Sequence, residues 1–263
     1  MTANPVIHHR EEVMGTVVTI DVYATAEATG AELAAARAQL DRARAILHRA
    51  DEVFSTWRPD SPVSRLRRGE IALAQAPAEV AGVLEQCAAA RELSGGWFDP
   101  WAMPDGVDPA GYVKGWAAQQ ALAAFSGGTP GQGVTGVIVN AAGDIASLGG
   151  MPDGQPFRIG IADPAEPRRL AAIARLTGAI ATSGTYERGA HLVDPHTARP
   201  AARAASASVT GPDLGLADAL ATALAVAGEE GLGFAARLTG YEALLIGFDG
   251  SRRWTQRFPF AAR

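Results

Sequence analysis

Residues 180–199 read Ile-Ala-Thr-Ser-Gly-Thr-Tyr-Glu-Arg-Gly-Ala-His-Leu-Val-Asp-Pro-His-Thr-Ala-Arg. A short apolar strand runs here into a loop that is dense in hydroxyl, acidic and imidazole groups. A buried polar group without a partner costs about 1–3 kcal/mol, so such groups are rarely packed together without a reason. An ordered turn would by itself explain Asp194-Pro195 and Thr182-Ser183-Gly184, which are common turn and strand-ending sequences. The density of titratable groups favours the alternative, a segment that lines a site.

The composition is that of a globular chain with a sizeable core, with 263 residues of which 48% are hydrophobic and 19% charged. A net charge of −5 provides no basic footprint, so no nucleic-acid partner is predicted. The single cysteine, Cys87, excludes an internal disulfide and a thiolate zinc cluster, and we expect it to be a buried apolar residue. Neither a signal-like apolar run in residues 1–13 nor a long apolar stretch elsewhere is present. The sequence therefore predicts a cytoplasmic protein without membrane insertion.

Hydrophobic periodicity divides the chain into helical and extended segments. Helices are predicted at 27–53, 77–94, 111–125, 214–227 and 229–238, and strands at 13–24, 137–140, 157–162, 171–176, 179–182, 206–210, 241–247 and 253–257. The segment before residue 13 and the proline-rich 97–110 are predicted to be irregular. Because the strands cluster instead of alternating strictly with helices, the pattern favours an α+β fold over a doubly wound sheet.

One domain spanning residues 1–263 is predicted, and the glycine-rich 127–136 is where a boundary between two sub-regions could fall. Gly131 to Gly136 matches GxGxxG, but a dinucleotide site needs that motif between a strand and the helix that follows it. Here the motif follows a helix and precedes a strand. We therefore interpret this segment as a flexible connection.

Asp218 and Thr222 lie four residues apart in a helical pattern of Ala, Leu and Val, so their side chains share one helix face. A carboxylate on an otherwise apolar face needs a compensating partner, and a hard cation such as Mg²⁺ prefers oxygen ligands of this kind. A local Thr–Asp hydrogen bond, or an acid placed near the helix N-terminus, would give the same pattern. The spacing alone leaves these alternatives open.

Blocks of sequence that occur in a fixed order resemble the ApbE family of flavin transferases. The central block is Thr182-Ser183-Gly184 with Tyr186-Glu187-Arg188, followed by His191 to Asp194-Pro195 and Thr197. The resemblance spans roughly residues 13–247. Its other blocks are Met14-Gly15-Thr16, Phe54-Ser55 to Ser64, Phe98-Asp99-Pro100, Lys114-Gly115, Asn140 to Asp144, and Ala217 to Thr222.

The resemblance implies an α+β fold in which helices pack around clustered antiparallel strands and FAD lies in a cleft between two sub-regions. It also implies a reaction, in which FMN moves from FAD to a threonine hydroxyl of an acceptor flavoprotein and AMP is released. Mg²⁺ would be bound by Asp218, Thr222 and a backbone carbonyl at or near Gly111. His191 would be the catalytic base, through the family's His-x-x-Asp-Pro motif, although a lone histidine is more often structural.

The resemblance further assigns residues to the FAD site. They are Met14, Ser55, Phe98, Asp99, Lys114, Asp144, Thr182, Ser183, Gly184, Glu187 and Arg188. From the sequence alone, Lys114 could neutralise a phosphate, but a solvated surface lysine is the better interpretation.

Four positions depart from the family pattern. Ala142 and Ala198 stand where glycine is common, His196 where arginine is common, and Arg67 where asparagine is common. The extra methyl of Ala142 is expected to be tolerated if its φ is negative. Arg67 is expected to alter contacts to the adenine of FAD.

Two rival functions remain open at this point. An FAD pyrophosphatase would use the same metal site with water in place of the acceptor threonine, and would give FMN and AMP. The second rival is a flavin-binding protein without catalytic activity. The presence of Asp218, Thr222 and His191 together argues against this second rival.

Overall fold

An antiparallel sheet of eight strands runs through the part of the chain that the computed structural model describes, residues 6–103, 105–126, 133–184, 192–200 and 202–262. Its strand order is β1-β2-β3-β4-β7-β10-β11-β12, and β5-β6 and β8-β9 form separate hairpins. The strands are β1 Ile7–Val13, β2 Thr16–Ala24, β3 Val134–Ala141, β4 Asp144–Gly149, β5 Phe157–Ala162, β6 Leu170–Leu176, β7 Ala179–Gly184, β8 Val193–Asp194, β9 Arg199–Pro200, β10 Ser206–Gly211, β11 Glu242–Ile246 and β12 Arg252–Trp254. The α-helices are α1 Gly30–Phe54, α2 Pro62–Arg67, α3 Ala78–Leu93, α4 Ala110–Ala123, α5 Leu214–Ala227 and α6 Leu232–Arg237.

The central strands bury both of their faces, because alternate side chains enter two different hydrophobic clusters. Ile138, Ile145 and Ile180 point into the smaller cluster, which the β5-β6 hairpin supplies with Phe157. The opposite face carries small residues and belongs to the larger cluster that the helices complete. The small residues on this face are Ala146, Ala179, Ala181, Ala207 and Ala243. Short side chains let α5 lie close against β7 and β10.

Helix α5 is the central element of the larger core, with 12 of its 14 residues buried. The Asp213 side chain caps its first turn by accepting a hydrogen bond from the Leu216 amide at 2.7 Å. Among the described residues, the run Leu214–Arg237 is long and apolar enough to cross a membrane by length and composition alone. Because 67% of its apolar window is buried inside the protein, it reads as a core helix.

The N-terminal strand β1 was not predicted, and the single strand expected at 13–24 is instead β2 preceded by a tight turn. That turn contains Met14 and Gly15 with φ of 55° and 66°. Strand β1 is polar, so it has little hydrophobic signal. Strand β1 is held to α1 through Glu11, whose carboxylate accepts hydrogen bonds from Arg44 at 2.6 Å and His48 at 3.1 Å on that helix, and from His9 within β1 at 2.8 Å. These bonds, led by that from Arg44, lower the pKa of Glu11 to about 2.

The other predicted elements agree with the structure to differing degrees. Helix α5 and strand β5 match their predicted bounds, whereas β4 and α2 were missed. The helix predicted at 229–238 is a 3-10 turn, Gly228–Gly231, followed by α6. Cys87 is buried as expected, and burial raises the pKa of its thiol to about 12.

Helices α4 and α5 approach each other more closely than side chains normally allow. A Cβ on Gly115 would lie 2.4 Å from the carbonyl oxygen of Leu214, and one on Gly215 would lie 2.8 Å from the Tyr112 ring. The Gly115 amide donates a hydrogen bond to the Asp218 carboxylate at 3.1 Å. The two glycines therefore set the distance between the helices that carry the predicted metal ligands.

Replacing Gly115 with alanine should lower the free energy of unfolding by about 3 kcal/mol or more, because the added methyl would overlap a backbone oxygen that cannot move alone. Urea unfolding monitored by circular dichroism measures the change. Gly82→Ala is the matched control, since Gly82 lies inside α3 with nothing within 4 Å of a built Cβ. That variant should gain about 0.5–1 kcal/mol. Similar effects of the two substitutions would contradict the close contact.

Two alanines occupy backbone conformations that favour glycine. Ala142 and Gly143 form the two-residue turn between β3 and β4, with φ of 50° and 96°, and Ala198 has φ of 53°. The expectation that Ala142 is tolerated through a negative φ is therefore wrong. A left-handed conformation costs a non-glycine residue about 1–2 kcal/mol, and at both alanines the sequence resemblance leads us to expect glycine.

Ala142→Gly should raise the free energy of unfolding by about 0.5–1 kcal/mol, because relief of the positive φ exceeds the entropy that glycine adds to the unfolded chain. Chemical denaturation measures this gain. Ala165→Gly serves as the control: Ala165 lies in an exposed turn and is not among the residues with positive φ. Its replacement should destabilise the protein, so a loss at both positions would refute the strain at Ala142.

Candidate functional site

A cleft of about 760 Å³ opens where the first turn of α4, the middle of α5 and the end of β7 meet. Its volume is in the range of small-molecule and cofactor sites. Nine of the residues assigned from the sequence line it, namely Phe98, Asp99, Gly111, Lys114, Thr182, Ser183, Gly184, Asp218 and Thr222. The structure thus brings together residues that are spread over more than a hundred positions of the chain.

Three assigned residues do not line the cleft. Met14 lies in the β1-β2 turn and packs against the larger core. The Ser55 carbonyl accepts hydrogen bonds from the hydroxyls of Ser61 and Ser64, at 2.6 Å and 3.1 Å, so it organises the start of α2. Asp144 is fully buried behind the cleft wall.

The remaining three assigned residues, Glu187, Arg188 and His191, lie outside the described residues. Their roles stay predictions from the sequence.

The buried carboxylate of Asp144 connects α4 to β7. One of its oxygens is paired with the Lys114 ammonium, and the other accepts a hydrogen bond from the Thr182 amide at 3.1 Å. The Thr182 hydroxyl is in turn 2.8 Å from the Ser208 hydroxyl. The interpretation that the sequence alone favoured, a solvated surface lysine, is therefore wrong for Lys114. Lys114 is an ion-paired residue at the cleft wall.

Asp218 is buried on α5 beside this pair. Burial raises the pKa of its carboxyl well above its usual range, and the neighbouring Asp144 carboxyl adds to the rise. Lys114 and the Gly115 amide lower the pKa of Asp218 but do not reverse the effect. Among the described residues, the two carboxyl groups of Asp144 and Asp218 thus lie beside the single ammonium of Lys114, and a further positive charge would be favourable there.

The oxygen atoms around Asp218 suit a hard cation. The Thr222 hydroxyl, one helical turn away, lies 3.1 Å from the Ser183 hydroxyl. Gly111 packs against Thr222 and Phe98, since a Cβ on it would be 3.5 Å from Thr222 Oγ1 and 3.2 Å from the Phe98 ring. Within the described ranges, no group of three His, Cys, Asp or Glu side chains could hold a metal ion. A cation here would depend on hydroxyl and carbonyl oxygens in addition to Asp218, a donor set that fits Mg²⁺.

Aromatic side chains that the sequence analysis did not assign form the outer part of the cleft. Trp57 is 93% exposed, and Trp97 contacts His196 edge to face with ring centroids 4.6 Å apart. The Arg203 guanidinium lies 4.8 Å from the centre of the Trp97 ring. Each tryptophan adjoins an assigned block, Trp57 after Phe54-Ser55 and Trp97 before Phe98. This adjacency to an assigned block is the sequence signal that could have pointed to the two tryptophans as cleft residues.

Arg67 does not line the cleft, so the structure gives no support to the expected effect on adenine contacts. Its Nε donates a hydrogen bond to the Asp105 carbonyl at 3.2 Å, and its guanidinium lies 3.9 Å from the Asp108 carboxylate. The side chain therefore faces the loop that leads into α4.

Comparison with known proteins gives consistent results. A family model described as the ApbE family matches residues 14–104 and 102–245. A protein from Rhodobacter capsulatus named FAD:protein FMN transferase is 37% identical over 155 residues, which are 55% of this chain and 29% of that protein. A protein of the same name from Vibrio cholerae is 35% identical over 135 residues, 47% of this chain and 39% of the relative. The matches therefore span well under half the length of these curated relatives.

A solved structure entitled flavin transferase ApbE from Vibrio cholerae superposes with a TM-score of 0.78 at 23% identity, covering 96% of this chain and 97% of that one. At this level of identity the likeness shows the fold alone. It confirms the predicted α+β class.

Replacing Lys114 with methionine should lower the free energy of unfolding by about 3 kcal/mol at neutral pH, because it leaves buried carboxyl groups without their counter-charge. A carboxyl whose folded-state pKa is raised contributes stability at low pH and loses it as the pH rises. The loss in Lys114→Met should therefore shrink on acidification. Urea unfolding at acidic and neutral pH measures both effects.

The control for this variant is Arg169→Met, which breaks an exposed ion pair with Glu166 of 3.0 Å. An exposed pair of this kind is worth about 0–1 kcal/mol. Equal losses in the two variants would show that the Lys114–Asp144 pair is not a buried one in solution.

Proposed function

The chain belongs to the ApbE family, and on that premise we propose that it is a transferase that moves FMN from FAD to a threonine hydroxyl of an acceptor protein. The observation that carries the proposal is the oxygen-rich corner of Asp218, Thr222 and Gly111 at the wall of a nucleotide-sized cleft. The relatives named FAD:protein FMN transferase support the same activity.

Phosphoryl transfer to a hydroxyl needs charge neutralisation on the phosphate oxygens and an aligned nucleophile. Asp218, Thr222 and the Gly111 carbonyl would hold Mg²⁺, which supplies charge neutralisation at the pyrophosphate. The Ser183 hydroxyl orients that of Thr222, since the two oxygens are 3.1 Å apart. Through its bond to the Thr182 amide, Asp144 fixes the strand that carries Ser183. The Lys114–Asp144 pair thus fixes the wall on which FAD would lie.

In the proposed reaction, the threonine oxygen forms a bond to the flavin-side phosphorus and the pyrophosphate P–O bond breaks, so AMP leaves. His191 is proposed to accept the threonine proton. An imidazole with an ordinary pKa near 6.5 is largely neutral at physiological pH and can take up that proton.

The acceptor protein and its location are part of the proposal. The acceptor carries a target threonine that reaches the cleft, and the cytoplasmic location stays a prediction that fractionation of the native host would test. If water replaced the threonine, the products would be FMN and AMP, which identifies the pyrophosphatase alternative.

Asp218→Asn should abolish FMN transfer, and excess chelator should do the same to the unmodified protein, because both remove the cation from the site. The measurement is the mass of a co-expressed acceptor, which gains one FMN on transfer. Asp213→Asn is the matched control on the same helix, since asparagine caps a helix as well as aspartate does. Full activity in chelator or in Asp218→Asn would refute the cation site. FAD consumption without an acceptor mass gain would favour the pyrophosphatase.

His191→Asn should slow transfer by roughly 10²–10⁴-fold while leaving the dissociation constant of FAD nearly unchanged, as expected for loss of a general base. The rate of the unmodified protein should fall below a pKa in the neutral region, because a protonated imidazole cannot accept a proton. Single-turnover transfer and FAD titration on the same variant measure the two quantities. Rescue of the variant by saturating FAD would show that His191 only binds the flavin or supports the adjacent turn.

A further inference from the structure

The loop that precedes α4 forms one wall of the cleft, and hydrogen bonds within the loop connect its two ends. We refer to residues 99–109, of which all but residue 104 are described, as the 99–109 loop. The Asp108 amide donates to the Pro100 carbonyl at 2.9 Å, and the Gly106 amide donates to the Met103 carbonyl at 3.1 Å. Asp99, Pro100, Met103 and Asp108 from this loop all line the cleft. The loop ends at the first turn of α4, which carries Gly111.

Arg67, at the end of α2, contacts this loop and does not itself line the cleft. Its side chain is only 13% exposed, and its guanidinium lies 3.9 Å from the carboxylates of both Asp105 and Asp108. Its Nε donates to the Asp105 carbonyl at 3.2 Å. Gly106 has a φ of 93° and packs on the Arg67 backbone, where a Cβ would lie 3.5 Å from the Arg67 carbonyl oxygen. The loop therefore contacts both the side chain and the backbone of Arg67.

The contact continues from Arg67 to the proposed cation site through Asp108. One Asp108 oxygen faces the Arg67 guanidinium, and the other accepts a hydrogen bond from the Ala110 amide at 3.0 Å. Ala110 begins α4, and the next residue, Gly111, packs against Thr222. A shift of Asp108 would therefore move the first turn of α4 relative to α5.

We propose that Arg67 is a positioning residue that acts through Asp108 to place Gly111 against Thr222 and Asp218, and so sets the affinity for the divalent cation. This inference rests on the proposed function, because it assumes that the cation binds at this corner. Arg67 touches neither the cleft nor the proposed ligands, so its effect is on affinity and not on the chemistry itself. Arginine suits this role because its planar guanidinium group can contact the Asp105 carbonyl and the carboxylates of Asp105 and Asp108 at the same time.

Titration with Mn²⁺, followed by electron paramagnetic resonance of the free ion, tests the proposal on the full chain with FAD present. Arg67→Met should raise the Mn²⁺ dissociation constant by about 3–10-fold, less than the 10–100-fold typical of residues that contact a metal ligand directly. Arg67→Lys should lie between wild type and Arg67→Met, since it keeps the charge but not the fork. Arg65→Met is the control: Arg65 is on the same helix, half exposed and 3.7 Å from Glu70, and its replacement should change nothing.

Two further measurements separate positioning from general support of the fold. At saturating Mn²⁺ the rate of Arg67→Met should return to within about twofold of wild type, because only the affinity is altered. The double variant Arg67→Met with Asp108→Asn should weaken Mn²⁺ binding no more than whichever single substitution has the larger effect. Both substitutions remove the same contact, between Arg67 and Asp108.

Wild-type Mn²⁺ affinity in Arg67→Met, whatever its thermal stability, would overturn the inference and leave the proposed function intact. If Arg67→Met does not fold, wild-type affinity in Arg67→Lys would overturn it equally. A wild-type protein that binds no Mn²⁺ would instead overturn the cation site of the proposed function, and the inference with it.

Discussion

The close contact between α4 and α5 is the constraint on which the rest of the molecule depends. Gly115 allows the α4 backbone to touch the Leu214 carbonyl, and its amide is bonded to Asp218 at 3.1 Å. The same contact packs the core and positions the site. A single methyl at Gly115 would separate the helices and, with them, Gly111 from Thr222. Stability and ligand geometry cannot be varied independently at this point.

A second consequence of the contact is a cluster of charged groups that the described residues alone do not balance. Lys114 and Asp218 are brought from neighbouring helices to the buried Asp144, so two carboxyl groups share one ammonium. Burying a carboxylate is costly even with a hydrogen bond from the Gly115 amide, and the raised pKa of Asp218 reflects that cost. A bound cation would balance the charge. The residue that is least favourable for the core is thus the one that the proposed function needs most.

Strained backbone occurs at the cleft wall and in the hairpin beside it. Ala142, at the cleft wall, has a positive φ, and so has Ala198 in the β8-β9 hairpin, whose first residue, Val193, also lines the cleft. The 99–109 loop depends on side chains from elsewhere, with Arg91 bonded to Asp99 at 2.6 Å and Arg67 facing Asp108. Neither arginine reaches the cleft. The site is therefore built from an inner set of residues that face the ligand and an outer set that holds them in place.

The sequence alone determined what depends on local periodicity. It placed α5 within its observed bounds and put Asp218 and Thr222 on one face, because a helix repeats every 3.6 residues whatever surrounds it. Ordered blocks of residues also indicated the family and nine of the cleft residues. Only the tertiary structure decided which of these residues are partners. The pairing of Lys114 with Asp144 spans 30 positions, and Arg67 reaches a loop 38 positions away. Strand β1 is polar and takes its structure from pairing with β2 and from Glu11 contacts to α1. Contacts between distant segments leave no periodic signal, because they are fixed by packing that no local stretch of the chain contains.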